Sequence, residues 1–393
     1  MKNITTVVPV LVQNLTPTAM RTVVVVQRRL THYRVSFFEV LKRELYARGV
    51  NLVLVHGQPN PIEMSKKDEG HIDWAVQVVN RYWKIGHQYL VFQPYPPELQ
   101  KADLVIATQE NSILSNHLHL LRKLIFGTKV AFWGHGANLQ SKHRNGLKEC
   151  FKRFTSTKVN WWFAYTQLSA DLVAATGFSR SRITVLNNAI DTDELHHQLD
   201  SVSPEETHAL RQSLGFAAGP VGVFVGSLYA DKRLDFLFAA ADAIHHYLPS
   251  FNLLIIGDGN ERDKVQDWCA KRPWAKWVGA RVAREKAAYI SMAQVMLNPG
   301  LVGLGLLDSF VCEVPMLTTA CGIHSPEISY LENDVNGIMT ADDLNTYVGT
   351  CISLLRDYKK LSELRAACNA SAKEYTVANM ARRFADGVMG ALE

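Results

Sequence analysis

The chain has 393 residues, of which 47% are hydrophobic and 20% are charged. This composition is typical of a globular protein with two or three domains, and it excludes a disordered, collagen-like or highly charged chain. The net charge of +5 does not by itself indicate nucleic-acid binding, but it conceals an asymmetry. Residues 1–200 carry 24 Lys and Arg against 15 Asp and Glu, whereas the remaining residues carry 18 against 22.

The amino terminus and the cysteines bear on where the protein works. Residues 1–20 contain one basic residue and interrupted apolar runs, which is a poor match to a secretory signal peptide. No segment reaches the roughly 18 uncharged apolar residues of a transmembrane helix. The six cysteines include no CxxC pair, so we expect reduced thiols and not a zinc ribbon or a disulfide framework. The expected location is the cytoplasm, either free or peripheral on the inner face of the cytoplasmic membrane.

Short apolar runs alternate with amphipathic segments along the first half of the chain. The β-branched run 22–26 is typical of a buried parallel strand. The apolar residues Phe37, Phe38, Leu41 and Leu45 follow it at helical spacing. Further strands are predicted at 51–57, 103–107, 129–136, 160–166 and 181–188, with helices at 110–125, 140–155 and 169–177. This alternation predicts a parallel sheet covered by helices on both faces.

A second series of the same kind follows a polar segment at 196–219, which is typical of a linker with one short helix. Its predicted strands are 222–226, 252–259, 275–279, 295–300, 315–319 and 337–339, separated by helices at 233–248, 260–271, 282–291 and from about 304. We therefore predict two Rossmann-like, doubly wound α/β domains facing across a cleft, at 1–200 and 201–375. A helix at 376–393 is expected to return to the first domain. Such folds bind ligands beyond the carboxyl ends of their strands, so the cleft is the expected site.

Residues 297–315 carry the most informative pattern. Three glycines, among them Gly300 and Gly303, follow the end of a strand, and a helix begins near Leu304. Glycines at a helix amino terminus let backbone N–H groups approach an anion closely. Asp308, about one turn into the helix, has a carboxylate suited to a ribose diol. A loop that needs glycine for its geometry and an exposed first-turn acid would have the same pattern.

Other strand ends also carry candidate groups. Lys232 and Arg233 stand at the start of a helix, where positive charge is locally unfavourable, so they indicate either a phosphate ligand or a solvated surface. Gly257 lies in a strand-to-helix turn that lacks the GxGxxG fingerprint, which disfavours a nicotinamide dehydrogenase. His135, between two glycines, is either a cleft imidazole or a structural histidine. No metal-ligand spacing is found, so we expect no metal site.

Five segments, taken in order, resemble the family 4 retaining glycosyltransferases, which have the GT-B fold. The resemblance covers nearly the whole chain and is strongest from 181 to 340. It implies that residues 1–200 bind the acceptor and residues 201–375 bind the nucleotide sugar. The segments are ITVLNNAIDTDEL, VGSLYADKRLDFL, IIGDGNERD, PGLVGLGLLDSFVCEVPMLTT and GIHSPEISYLENDVNGIM.

The resemblance implies roles for individual residues. Lys232 would hold the distal phosphate of the donor, and the backbone N–H groups of Gly303 and Leu304 would meet the diphosphate. Asp308 would bind the ribose, and His135 would lie near the transferred sugar; His135 and Lys232 are the candidate catalytic residues. The remaining candidates are Ser227, Arg233 and Gly257 at the donor, and Arg28, Arg34, Asn188, Gly300 and Glu327 in the cleft.

Three positions of the second domain depart from the family pattern. Ser227 stands where an arginine usually contacts the phosphate, so Arg233 or a residue elsewhere is expected to compensate. Gly300 stands where the first glutamate of the Glu-x7-Glu pattern contacts the sugar, so that contact is lost or supplied otherwise. Asp308 is one methylene shorter than the second glutamate.

The first domain departs from the family as well. Residues 27–38 replace the glycine-rich loop that often follows the first strand, so Arg28 and Arg34 are expected to line that corner. Basic and apolar residues also alternate at helical spacing in 141–158, and 117–129 adds a second such stretch. These stretches are typical either of helices that rest on an anionic membrane or of solvated helices packed on their own sheet. The basic first half therefore favours an acidic or membrane-borne acceptor.

The implied reaction is transfer of a hexose from a UDP- or GDP-linked sugar to a glycan or lipid-linked acceptor, with retention at the anomeric carbon. The pathway expected is assembly of cell-envelope polysaccharide or lipopolysaccharide. No cofactor, metal or nucleic-acid partner is expected. One alternative is an enzyme that modifies nucleotide sugars, of the non-hydrolysing epimerase type. Another is a non-catalytic protein that binds sugar nucleotides or glycans, which the replacements at Ser227 and Gly300 favour.

Overall fold

The computed structural model describes residues 20–66, 68–86, 88–136 and 156–393. The predicted helix at 140–155 lies outside the described residues, as does most of the basic stretch 141–158.

The described residues of the first half form a seven-stranded parallel sheet and a separate hairpin. The strand order is β3-β2-β1-β6-β7-β8-β9, and the hairpin β4–β5 is antiparallel. The sequence did not predict the hairpin or β3. The strands are β1 (Arg21–Gln27), β2 (Val50–His56), β3 (Val76–Gln77), β4 (Arg81–Ile85), β5 (Gln88–Phe92), β6 (Leu104–Thr108), β7 (Lys129–Gly134), β8 (Trp161–Ala164) and β9 (Ile183–Val185).

Helices cover this sheet, and the first of them packs through an apolar face. The helices are α1 (Val35–Ala47), α2 (Leu114–Phe126) and α3 (Gln167–Ala174). The four residues at helical spacing in the sequence, Phe37, Phe38, Leu41 and Leu45, are the buried face of α1. The β-branched residues of β1 are buried as well, so the helical and strand patterns of the sequence are both confirmed here.

The second half repeats the design with a six-stranded parallel sheet in the order β12-β11-β10-β13-β14-β15. This is the strand order of dinucleotide-binding folds, in which the chain reverses direction across the sheet between β10 and β13. The strands are β10 (Val221–Val225), β11 (Asn252–Ile256), β12 (Ala275–Trp277), β13 (Val295–Leu297), β14 (Met316–Thr319) and β15 (Gly337–Thr340). The prediction of two doubly wound α/β halves is confirmed.

The segment predicted as a linker with one short helix contains two helices. They are α4 (Thr192–Asp200) and α5 (Pro204–Ser213). The side chains of Asp191 and Ser203 accept hydrogen bonds from the first-turn N–H groups of α4 and α5, and Pro204 occupies the first position of α5. The prediction was wrong because it weighed the polar composition and overlooked these capping residues.

The remaining helices surround the second sheet, except that the last one packs on the first. They are α6 (Leu234–Tyr247), α7 (Arg262–Ala270), α8 (Ala283–Ser291), α9 (Gly305–Val311), α10 (Leu344–Arg356), α11 (Tyr358–Glu374) and α12 (Val377–Leu392). α12 packs against α1, and the buried Phe384 stacks on Phe163 of β8 at 4.3 Å between ring centroids. Arg21 and Lys129 donate to the carbonyl oxygen of Leu392, which secures the end of α12 to the first sheet.

None of the described helices is long and apolar enough to cross a bilayer. The cysteines among the described residues, at 269, 312, 321, 351 and 368, are free thiols.

We expect Phe384→Ala to lower the free energy of unfolding by about 3–5 kcal/mol, because it removes a buried ring that also contacts Phe37 and Trp133. Urea unfolding followed by circular dichroism measures the change. Phe384→Leu is the matched variant, and its free energy of unfolding should fall markedly less than that of Phe384→Ala. Equal stability of Phe384→Ala and the wild type would contradict the tight packing of α12.

Candidate active site at the carboxyl edges of the two sheets

Lys232 lies at the point where the second sheet reverses its strand order. It follows β10, and its ammonium group donates a hydrogen bond to the carbonyl oxygen of Leu301, which follows the neighbouring strand β13. Burial lowers the pKa of Lys232 to about 8, and the nearby charge of Asp231 opposes this shift. A buried cation held by a neutral carbonyl is suited to an incoming anion.

The backbone beside Lys232 offers further donors to such an anion. α9 begins after Leu304 without a side-chain cap. No described residue accepts a hydrogen bond from the N–H groups of Gly303 or Leu304. Leu304 is the N-cap residue of α9 and Gly303 directly precedes it, so neither N–H group belongs to the hydrogen-bond ladder of the helix and both remain available to a ligand.

Gly300 shows why the family's first glutamate has no counterpart here. A Cβ at this position would lie 2.4 Å from the carbonyl oxygen of Asp231 and 2.5 Å from the carbonyl carbon of Lys232. The N–H of Leu301 donates to Asp231 at 2.8 Å, which holds the two loops together. The loop that carries Lys232 thus occupies the space of the missing side chain.

Asp308 is buried on α9 and already has a cationic partner. Its Oδ1 lies 2.8 Å from Nζ of Lys286, which projects from α8. Burial lowers the pKa of Lys286, but the charge and hydrogen bond of Asp308 outweigh it, so the net shift is upward. Lys286 is not among the residues predicted from the sequence, since no motif marks a residue 22 positions before its partner.

The other donor candidates of the second domain have different surroundings. Ser227 is exposed at the end of β10. Arg233 pairs with Asp342 at 2.5 Å and also donates to the carbonyl oxygen of Pro299, so its charge is balanced within the protein. Gly257 has φ +150°, and a Cβ there would lie 1.8 Å from the carbonyl oxygen of Gly226. Gly257 therefore lets the ends of β10 and β11 touch.

Arg34, Asn188 and Glu327 form a buried hydrogen-bonded chain that joins the two halves. Arg34 donates to Oδ1 of Asn188 at 2.6 Å, and the Asn188 amide donates to Oε1 of Glu327 at 2.6 Å. The hydroxyl of Tyr330 donates to the backbone carbonyl of Asn188 at 3.2 Å. Arg34, which precedes α1, and Glu327, which lies between β14 and β15, thus bind the same side chain of Asn188, which follows β9.

Aromatic rings surround the guanidinium group of Arg34. It lies 5.2 Å from the ring centroids of Tyr33 and Trp133 and 5.5 Å from that of Tyr165. Rings at these distances stabilise a desolvated cation. His135 is exposed beside this cage, with its ring 4.4 Å from that of Tyr165. Burial raises the pKa of Tyr165 to about 12, so this phenol stays protonated at neutral pH.

Arg28 lies at the carboxyl end of β1 as predicted, but its charge is balanced by acids that the sequence analysis did not single out. It donates to both oxygens of Glu63, at 2.6 and 2.7 Å, and to Glu110 at 3.2 Å. These acids follow other strands and carry no recognisable spacing relative to Arg28. The corner that Arg28 was expected to line is therefore an ion-pair cluster.

Two subsets of the candidates come together in the structure. Lys232, Gly300 and the N–H groups of Gly303 and Leu304 share the carboxyl edge of the second sheet. Arg28, Arg34 and His135 share that of the first. Within the described ranges, no three His, Cys, Asp or Glu residues are grouped as a metal site would require.

Comparisons with known proteins bear on the family and the fold. Residues 219–357 match the family model described as glycosyl transferases group 1. No curated protein has significant similarity to the chain.

Solved structures share the fold at low sequence identity. HepE from Anabaena, crystallised with UDP, has a TM-score of 0.67 and 14% identity over 94% of this chain and 100% of its own. A glycosyltransferase from Rickettsia africae has a TM-score of 0.65 and 12% identity over 95% and 99%. WaaB, a lipopolysaccharide outer core galactosyltransferase, has a TM-score of 0.62 and 14% identity over 94% and 99%. These likenesses confirm the predicted GT-B fold.

We expect Gly300→Ala to lower the free energy of unfolding by about 1–3 kcal/mol, because its Cβ would overlap the loop that carries Lys232. Gly303→Ala is the matched control, since the nearest side-chain atom to its Cβ would be Oγ of Ser325 at 3.5 Å. Urea unfolding compares the two variants. Equal stability would contradict the steric role assigned to Gly300.

Proposed function

Because residues 219–357 match the family model of group 1 glycosyl transferases, we propose that this chain transfers a hexose from a nucleoside diphosphate sugar to an acceptor hydroxyl, with retention at the anomeric carbon. The observation that carries this proposal is the buried Lys232 ammonium at the reversal point of the second sheet. The available N–H groups of Gly303 and Leu304 belong to the same edge. Open α/β sheets bind nucleotides at such a point.

The diphosphate leaves with growing negative charge as the glycosidic bond breaks. In this proposal Lys232 and the N–H groups of Gly303 and Leu304 stabilise that charge through preorganised electrostatics. The departing phosphate takes the proton of the attacking hydroxyl on the same face of the sugar. The fixed cation and the backbone donors serve in place of a metal, so we expect activity to persist in EDTA.

The remaining candidates divide between donor and acceptor in this proposal. The carboxylate of Asp308, oriented by Lys286, binds the ribose diol. Exposed His135, held beside Tyr165, contacts the transferred sugar or the acceptor. UDP is the first nucleotide to test, since HepE of the same fold binds it, and GDP is the second.

We further propose that the acceptor is a glycan or lipid-linked intermediate of the cell envelope, used at the inner face of the cytoplasmic membrane. α2 supports this, because its buried residues are polar, Ser115, Asn116 and His119, whereas its outer face is apolar. Near its end the apolar side chains are strongly exposed, with Leu124 at 82%, Ile125 at 62% and Phe126 at 71%.

Cations flank this apolar end of α2. The ammonium group of Lys123 donates a hydrogen bond to the backbone carbonyl of Lys158 at 2.7 Å. Burial and the nearby charges of Arg182 and Lys158 lower the pKa of Lys123. Exposed apolar side chains beside clustered cations suit the interface of an anionic bilayer. WaaB, which shares the fold, is a lipopolysaccharide outer core galactosyltransferase.

The first experiment follows UDP or GDP release from UDP-glucose and GDP-mannose, with acceptor extract and with EDTA. We expect Lys232→Ala to lower transfer by about 10²–10³-fold while the protein stays folded. Lys264→Ala is the control, because that lysine forms an exposed ion pair with Asp235. Near-wild-type turnover by Lys232→Ala would overturn the phosphate assignment. Donor turnover without acceptor would favour an epimerase, and donor binding without any turnover would favour a binding protein.

The pH dependence tests the same lysine. A lysine is charged below its pKa, so kcat/KM for the donor should fall as the pH rises through about 8. In Lys232→Arg the fall should move to higher pH, because a guanidinium group keeps its proton. An unchanged profile in this variant would show that another group controls the alkaline limb.

Flotation with liposomes tests the membrane proposal. We expect salt-sensitive binding to anionic vesicles, reduced about tenfold or more in Leu124→Glu/Phe126→Glu, because both side chains would leave the interface. Tyr358→Glu, at an exposed apolar residue of α11, is the control and should float normally. Equal flotation of the α2 variant and the wild type, or none at low salt, would contradict a membrane role for α2.

A further inference from the structure

The ion-pair cluster of Arg28, Glu63 and Glu110 stands where the first sheet reverses its strand order. Arg28 follows β1 and Glu110 follows β6, and these two strands are neighbours although four others separate them along the chain. In open α/β sheets this is the place where ligands bind. The second sheet uses the equivalent place for Lys232.

The geometry of the cluster is well defined. Glu63 accepts two parallel hydrogen bonds from Arg28, and Glu110 accepts a third from Nε at 3.2 Å through its Oε2. The Asn116 amide donates to the backbone carbonyls of Thr108 and Glu110, which fixes the turn after β6. The side chain of Glu110 is 37% exposed, whereas Arg28 and Glu63 are largely covered, so Glu110 is the member that a ligand reaches first.

The neighbouring arginine is balanced in the same way. Arg29 donates to both oxygens of Asp68, at 2.6 and 3.1 Å, and lies 3.8 Å from Glu63. Two guanidinium groups thus face three carboxylates, Glu63, Glu110 and Asp68. A phosphate or carboxylate ligand binds arginine through the same planar fork, so it would have to displace one of these acids.

An uncharged hydroxyl has no such conflict. It donates to a carboxylate oxygen and accepts from a guanidinium N–H, so it joins an existing Arg–Glu pair without breaking it. Glu110 follows β6, and His135 follows β7, the parallel strand next to it, so both lie at the same carboxyl edge of the first sheet. The cluster and His135 therefore belong to one face of the cleft.

We propose that Glu110 and Arg28 bind sugar hydroxyls of the acceptor, and that the acceptor group at this edge is an uncharged polyol and not a phosphate or a uronate. This inference rests on the proposed transferase function. The basic first half of the sequence predicted an acidic or membrane-borne acceptor, and this proposal restricts that prediction. The arginines at this corner orient carboxylates, while Lys123 at the end of α2 and the nearby Lys158 and Arg182 remain to meet anionic lipid.

The test measures binding of simple glycosides by saturation-transfer NMR, with and without UDP. The probes are methyl α-glucoside and methyl β-galactoside, compared with glucose 6-phosphate and methyl glucuronide. We expect the neutral glycosides to bind more tightly than the anionic sugars. Glu110→Gln should lower the affinity for the neutral glycosides about tenfold, because it removes a charge-assisted hydrogen bond and keeps the shape of the side chain.

Glu44→Gln is the control, since Glu44 lies on α1 and pairs only loosely with Arg48 at 3.7 Å. Glu110→Gln, Glu44→Gln and the wild type should bind UDP with the same affinity. Failure of the wild type to bind UDP would refute the donor proposal and not the acceptor assignment. Tighter binding of the anionic sugars, unchanged binding by Glu110→Gln, or no saturable binding of either neutral glycoside would each overturn the acceptor assignment.

Discussion

The buried chain from Arg34 through Asn188 to Glu327 is the interaction on which the arrangement of the two halves depends. Arg34 and Glu327 carry opposite charges, come from different halves and are both almost inaccessible to water. Burying either charge alone would cost several kcal/mol. The side-chain amide of Asn188 accepts a hydrogen bond from Arg34 and donates one to Glu327. The buried cation of the first half and the buried carboxylate of the second half are thus linked through one neutral amide.

This constraint brings together two edges with different electrostatic designs. On the second sheet, the buried ammonium group of Lys232 donates to the carbonyl oxygen of Leu301, and Gly300 leaves room for the loop that carries Lys232. On the first sheet, Arg28 is paired with acids. The first design suits a transient anion such as a leaving diphosphate, and the second suits neutral hydroxyls that hydrogen bond to charges already balanced.

The sequence predicted the fold well because its signals are local. The buried run in β1 and the spacing of Phe37, Phe38, Leu41 and Leu45 depend on a few neighbouring residues, and alternation of such runs implies parallel doubly wound sheets. It failed where the local signal is weak. The hairpin at 81–92 is largely exposed, and the helices at 192–213 are polar and marked mainly by their caps.

The sequence by itself determined the two α/β halves, the strand ends that carry the candidates, and the positions of Lys232 and Asp308 within family-like segments. Only the tertiary structure decided which of these charges are paired within the protein and which remain available to a ligand. Partners such as Lys286 for Asp308, Asp342 for Arg233 and Glu110 for Arg28 come from distant parts of the chain. Helix and strand periodicity reflects contacts within a few residues, whereas charge compensation depends on which strand ends the sheet order places side by side.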